Sequence, residues 1–300
     1  MDKEKAVKWL KLILKIGLSA LAIYIFLRNI DTQELWKNIQ RMRGFYFLFA
    51  ILSFMLSKAI AAFRLSYFYQ SQGLKLKHSL NLKLYWLGMY YNLFLPGGIG
   101  GDGYKVYFLK KHYKKDLKSL ISASLLDRVS GLVAALALSC ISFMFISFEW
   151  ELKAYSFLLI LPLYIGYWLG IKILFKSFLQ VYTISSLLSL LVQALQVFAA
   201  YWVMKALWVE GNLANYIFVF LVSSIAYVIP LTIGGLGARE LVFLFGAKQL
   251  NMDTDLSVAV GLVFYLVIVI SSFSGVYFLL RPGELKEAKN NKAPEQYPEA

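Results

Sequence analysis

The chain has 300 residues, 59% of them hydrophobic and only 16% charged, and several apolar runs reach the roughly 20 residues needed to cross a bilayer. A soluble domain is excluded, and so is the nucleic-acid partner that a net charge of +14 would otherwise suggest, because the Lys and Arg lie largely between apolar runs, where they orient spans. A single cysteine, Cys140, rules out an intrachain disulfide and a cysteine-based metal site, and the two histidines, His78 and His112, lie in polar loops, so neither a metal nor a cofactor is expected.

In chain order, Lys3 to Lys15 lead into an apolar run that ends at Leu27. Ser19-Ala20-Leu21-Ala22 offers the small residues of a signal-peptide cleavage point, but the many downstream spans favour a retained first helix. Full spans are expected near 10 to 27, 45 to 63, 119 to 148, 154 to 171, 177 to 208 and 256 to 280. The segment from about 84 to 95 is too short to cross and runs straight into Pro96 and a glycine cluster, so it reads as re-entrant. Residues 213 to 229 approach a second such cluster and 241 to 250 lead away from it; a 17-residue run could also cross, which leaves eight spans as the alternative. The last twenty residues are polar, hold three of the six prolines and read as a disordered tail over 281–300. The fold class is therefore all-α polytopic membrane protein, with 1–280 as a single transmembrane domain of two halves.

The two clusters are copies of one element. Pro96-Gly-Gly-Ile-Gly-Gly-Asp-Gly-Tyr-Lys105 recurs 134 positions later as Pro230-Leu-Thr-Ile-Gly-Gly-Leu-Gly-Ala-Arg239, both matching P-x-x-I-G-G-x-G-x-[K/R]. Pro and glycines inside such an apolar chain describe backbone that unwinds at membrane depth, which is tolerated only where it lines a cavity or is buried in protein. Paired interruptions of this kind point to a transporter's substrate site. Glycines beside a half-helix start let a phosphate approach free N–H groups and the positive end of the helix dipole, so Pro96, Gly100, Gly101, Pro230, Gly234, Gly235 and Gly237 are candidate substrate-binding positions, with Lys105 and Arg239 adding full charges. Gly98-x-Gly100-x-x-Gly103 also matches a dinucleotide fingerprint, but no strand precedes it and the second copy has Thr232 at the first glycine.

Lysine placement orients the chain. The loop 104 to 118 holds Lys105, Lys110, Lys111, Lys114, Lys115 and Lys118 against Asp116, which makes it cytoplasmic, and the basic N-terminus follows. The C-terminal tail is cytoplasmic on the same count, and three spans between the motifs reverse the second relative to the first, as an inverted repeat requires. The loop 28 to 44 argues the other way: it is assigned outside yet carries Arg28, Lys37, Arg41 and Arg43 against Asp31 and Glu34.

Charge inside the membrane is costly and needs partners or water. Asp102 with Lys105, and Arg239 with Glu240, are near neighbours that can neutralise one another, and Asp127-Arg128 opens the long third span. Lys58 and Arg64, near the inner end of the second span, and Arg128 are read as well by snorkelling to the interface as by a functional role. Gln193 and Gln196, a turn apart, are read as interhelical bonds, and Gly166 with Gly170 as a packing face.

Asn92-Leu-Phe-Leu-Pro96-x-x-x-Gly100-Gly101-Asp102-x-x-Lys105, Asp127-Arg128-x-x-Gly131 and Pro230-x-x-x-Gly234-Gly235-x-Gly237-x-Arg239-Glu240 resemble, in order and spacing, the lysylphosphatidylglycerol synthase transmembrane family of flippase-like membrane proteins. The resemblance runs from the first span to about Leu280 and adds Asn92 to the candidate site. It implies a stand-alone member without the soluble synthase domain, set in the plasma (inner) membrane and acting on a membrane phospholipid or an isoprenoid-phosphate lipid, with an envelope biosynthetic enzyme as a further partner. One departure is Lys105, where the family's first motif commonly ends in Arg, a point charge in place of a bidentate fork.

The expected function is translocation of an anionic lipid or lipid-linked head group between leaflets, with no catalytic residue. The alternatives are a membrane transferase using Asp102, Asp127 or Glu240 as general base, and a scaffold for an envelope synthase.

Overall fold

The computed structural model describes residues 32–94, 100–147, 151–228, 237–281 and 285. The expected first span, the tail apart from Arg281 and Leu285, Pro96, Pro230, Gly234 and Gly235 lie outside the described residues, and Leu285 is buried in an apolar cluster. The rest is helical: α1 (Thr32–Gln40), α2 (Gly44–Gln70), α3 (His78–Phe94), α4 (Gly100–Tyr113), α5 (Leu117–Phe143), α6 (Ile160–Leu174), α7 (Tyr182–Ala206), α8 (Leu213–Val228), α9 (Ala238–Gln249), α10 (Thr254–Phe273) and α11 (Val276–Leu280). Tighter 3₁₀ turns over Glu151–Leu159 and Lys176–Val181 lead into α6 and α7.

Local chemistry sets the boundaries. Asp116 accepts the Ser119 N–H at 3.0 Å to start α5, and Asp253 accepts the Leu256 N–H at 2.8 Å to start α10. Hydrogen bonding from Ser119 holds the exposed Asp116 carboxyl below its ordinary range. Pro162 falls in the first turn of α6, where the 3₁₀ turns of Glu151–Leu159 give way to α-helix. Gly73, at φ +67°, lets the chain turn out of α2.

Five described stretches are long and apolar enough to cross a membrane: Gly44–Gln70, Leu117–Phe143, Tyr155–Leu174, Lys176–Ala206 and Thr254–Leu280. They coincide with five of the expected spans. The helices flanking the two motifs are shorter, at 17, 14, 16 and 12 residues for α3, α4, α8 and α9. At 1.5 Å per residue these reach about 18–26 Å, short of the roughly 30 Å hydrocarbon layer.

With lipid outside, helices associate through close packing, and small residues make the tightest faces. The most extensive helix pair is α2 on α7, with Ser57, Ala61 and Ala62 on one buried face and Ser185, Ser189, Ala199 and Ala200 on the other. Two apolar clusters result. One centres on Leu65, Phe68, Leu84, Leu109 and Leu126, the other on Val203, Phe220, Phe243 and Phe264, and Tyr85 packs against both. Gly166 and Gly170 correct an expectation: a Cβ at either would meet open space, so they make no close helix crossing.

The loops sort into two ends. At one, Arg43 N–H donates to the Ala206 carbonyl, the Trp208 indole to the Arg41 carbonyl, and Asn215 links Ser147 to Leu250. At the other, Gln72 donates to Ser177 Oγ, Lys115 to the Gln72 carbonyl, and Lys83 lies over the Phe278 ring. Loops 41–43, 207–212 and 250–253 thus share one end, and 71–77, 114–116 and 175–177 the opposite one.

Candidate functional site

The first motif is held by a hairpin of α3 and α4 whose backbones touch. Gly101 lies so close to Gly88 that a Cβ on Gly101 would run into the Gly88 carbonyl. That approach brings the Gly101 N–H, one of the free donors at the start of α4, to 2.7 Å from Asn92 Oδ1. Gly103, one residue past Asp102, faces open space. The second motif ends the same way: Gly237 at φ +90° turns the chain into α9, and its N–H donates to Glu240 Oε2 at 2.8 Å. A side chain therefore occupies a helix-start donor at each motif, neutral Asn92 at α4 and acidic Glu240 at α9. The backbone N–H groups of Gly101 and Gly237, expected to face a phosphate, are already used.

The first turns of α4 and α9 both line a single cavity of about 190 Å³ among α2, α3, α4, α5, α7, α8, α9 and α10. Asn92, Asp102, Lys105, Asp127, Arg128 and Arg239 all line it, together with Lys58, Arg64, Gln193, Gln196, Tyr85 and Tyr227. Glu240 does not; it is buried and turned onto the Gly237 backbone.

The charges pair across helices. Asp102 on α4 bridges Lys105 at 2.7 Å, on its own helix, and Arg128 on α5. Asp127 on α5 accepts from Arg64 Nε on α2 at 2.8 Å, with both side chains less than a tenth exposed, and Arg64 Nη1 reaches Ser189 on α7 at 2.8 Å. Gly131 makes room for this: its missing side chain faces the Arg64 guanidinium at 3.4 Å, and its carbonyl accepts Gln193 Nε2 at 3.0 Å. The Lys105 ammonium also sits 4.5 Å from the centre of the Tyr85 ring.

Arg239 is held differently. It is 3% exposed and its guanidinium packs over Phe264 at 4.7 Å, Phe220 at 5.2 Å and Tyr227 at 5.7 Å, while Nη1 has no hydrogen-bond partner among the described residues. Its sequence neighbour Glu240 makes no ion pair with it. Among the described residues, five cations thus line the cavity against two carboxylates. Unbalanced charge of this kind in a membrane interior is expensive unless water or an anion supplies the difference.

Lys58 and Arg64 correct the snorkelling reading. The second span does not stop at 63 but runs to Gln70, since Leu65, Phe68 and Tyr69 are buried. Lys58 is then near the middle of a 27-residue helix, about 20 Å from either end, and cannot reach an interface. The paired distances make Arg64 a bonded member of the site. Gln193 does bond between helices, as expected, and also faces the cavity with Gln196. Among the described residues, no three His, Cys, Asp or Glu side chains come together as a metal site would need.

Comparison with known proteins fixes the family. A sequence model of the lysylphosphatidylglycerol synthase TM region matches residues 12–185 and 172–275. Curated proteins give no match to the chain. The chain belongs to the lysylphosphatidylglycerol synthase TM family and is an integral, multi-pass membrane protein.

Proposed function

We propose that the chain moves the anionic head group of a lipid between the two leaflets, holding it in the cavity that both glycine motifs line. The observation that carries this reading is the charge of the cavity: Lys58, Arg64, Lys105, Arg128 and Arg239 against Asp102 and Asp127. A site that must pass a phosphate through the membrane needs cations at mid-depth, and only a ligand or water can complete their balance. The motifs support it further, as paired half-length helices meeting at one site are the arrangement of alternating-access transporters. The family supports a lipid-related role. The head group enters the cavity while the acyl chains stay in the bilayer.

The cavity carboxylates are poorly placed for the transferase alternative. Asp102 is bonded to Lys105 and Arg128, and Asp127 to Arg64, so each carboxylate is engaged by buried cations and neither stands open as a general base for a substrate hydroxyl.

The end carrying Lys75, Lys77, Lys110, Lys111, Lys114, Lys115, Lys118, Lys172 and Lys176, with Asp116, is taken as cytoplasmic. The opposite end mixes Lys37, Arg41, Arg43, Lys153, Lys205 and Lys248 with Glu151, Glu210, Asp253 and Asp255 and carries a much smaller positive excess. The basic residues of loop 28–44 are thus only partly offset by acids from other loops at the same end.

The test is leaflet exchange of fluorescent phosphatidic acid, a phosphomonoester, and of fluorescent phosphatidylglycerol, a phosphodiester, in reconstituted vesicles, read by quenching from outside. Wild type should exchange well above protein-free vesicles, and Arg239→Ala should fall to the protein-free rate while inserting normally. Exchange by Arg239→Ala at the wild-type rate would remove the anion-binding role.

A further inference from the structure

We infer that Lys58 is the second cation of the head-group site, acting with Arg239, and that the two take a doubly charged phosphate, a monoester or diphosphate, in preference to a singly charged phosphodiester. This rests on the translocator reading and narrows its substrate class.

Charge is unevenly distributed within the cavity. Three of the five lining cations already have carboxylates: Lys105 and Arg128 share Asp102, and Arg64 has Asp127. Lys58 and Arg239 have none among the described residues. Lys58 makes no ion pair or hydrogen bond to any described residue, its ammonium lying 4.7 Å from the centre of the Phe54 ring. Arg239 is buried among three aromatic rings with Nη1 unpartnered. Phe54 and Phe264 stack edge to face at 5.8 Å, so the rings under the two cations belong to one wall of the cavity. Other charges facing Lys58 are Arg64 and Arg128, each paired, and Asp127.

Counting the lining groups leaves three positive charges over, and setting Glu240 against its neighbour Arg239 still leaves two. A phosphodiester brings one negative charge and leaves the cavity positive. A phosphomonoester brings about 1.5 to 2 at neutral pH, its second pKa being about 6, and offers three acceptor oxygens, enough for an ammonium and a guanidinium together. The two motifs are also unequal on this account: Lys105 in the first spends its charge on Asp102, and the anion is held from the second.

Purified protein in a neutral detergent is titrated with three probes by calorimetry: dodecyl phosphate, a monoester; didodecyl phosphate, a diester; and inorganic phosphate. At about pH 8 dodecyl phosphate should bind roughly tenfold more tightly than the diester, and the gap should close near pH 5 as the monoester takes its second proton. Lys58→Gln should weaken monoester binding about tenfold with little change for the diester, and Lys58→Arg should restore it. Equal binding of monoester and diester at the higher pH overturns the inference, with or without a folded Lys58→Gln, and so does a folded Lys58→Gln that binds as wild type does. Inorganic phosphate binding as tightly as dodecyl phosphate would keep the charge assignment and count against a lipid ligand. A preference for the diester, with leaflet exchange intact, would sink the dianion site and leave the translocator standing.

Discussion

At the scale of residues, the site is built on bonded charges, and breaking one pair should be felt in the fold. Arg64 and Asp127 are buried, 2.8 Å apart, and join α2 to α5. Asp127→Asn leaves a buried guanidinium without its counter-ion and should cost about 3–5 kcal/mol, whereas Arg64→Met with Asp127→Leu removes both charges and should recover most of that loss. Thermal denaturation of the purified variants checks this, and an Asp127→Asn protein that melts like wild type would contradict the pairing. Asp102, Lys105 and Arg239 were legible in the sequence, because charge repeated beside glycine motifs has few structural explanations, and Asp127 and Arg128 entered through the family resemblance. Lys58 and Arg64 were not. A cation near the edge of an apolar run looks the same whether it snorkels or is buried, and only the packing of α2 against α7 carries the helix on to Gln70 and draws both inside. The roles of Asn92 and Glu240 as caps were hidden for a similar reason, since the partner backbone is placed by the turn that precedes each helix.

At the scale of elements, the glycines of the first motif separate by what surrounds them. Gly101 lies against the Gly88 backbone, so Gly101→Ala must push α4 off α3 and should cost at least the 1–3 kcal/mol typical of overpacking. Gly103 faces open space inside a helix, so Gly103→Ala should be neutral or stabilising by up to about 1 kcal/mol. Melting temperatures and leaflet exchange of the two variants, measured side by side, decide it; equal loss in both would mean the hairpin contact does not position the site. Helix existence was readable from apolar run length, and the five spans fell where expected. Contact at a glycine was not: Gly166, read as a packing face, meets nothing within 4 Å, while Gly101, read as a substrate position, lies against the Gly88 carbonyl.

At the scale of the whole molecule, the two ends differ in charge as a membrane orientation requires. With Cys140 replaced by Ser, Lys118→Cys should be labelled by an impermeant thiol reagent only from the cytoplasmic side and Glu210→Cys only from the other; labelling of both from one side would contradict the sorting of the loops. Both motifs reach one cavity because their half-length helices end inside the bundle, and the charge left over there is what the function rests on. The most direct measurement of that claim is the mass of the lipid that co-purifies with the chain, for wild type and for Arg239→Ala. The wild-type protein should retain an anionic phosphate lipid that Arg239→Ala loses. The same lipid held equally by both, or a zwitterionic lipid in the wild type, would contradict it.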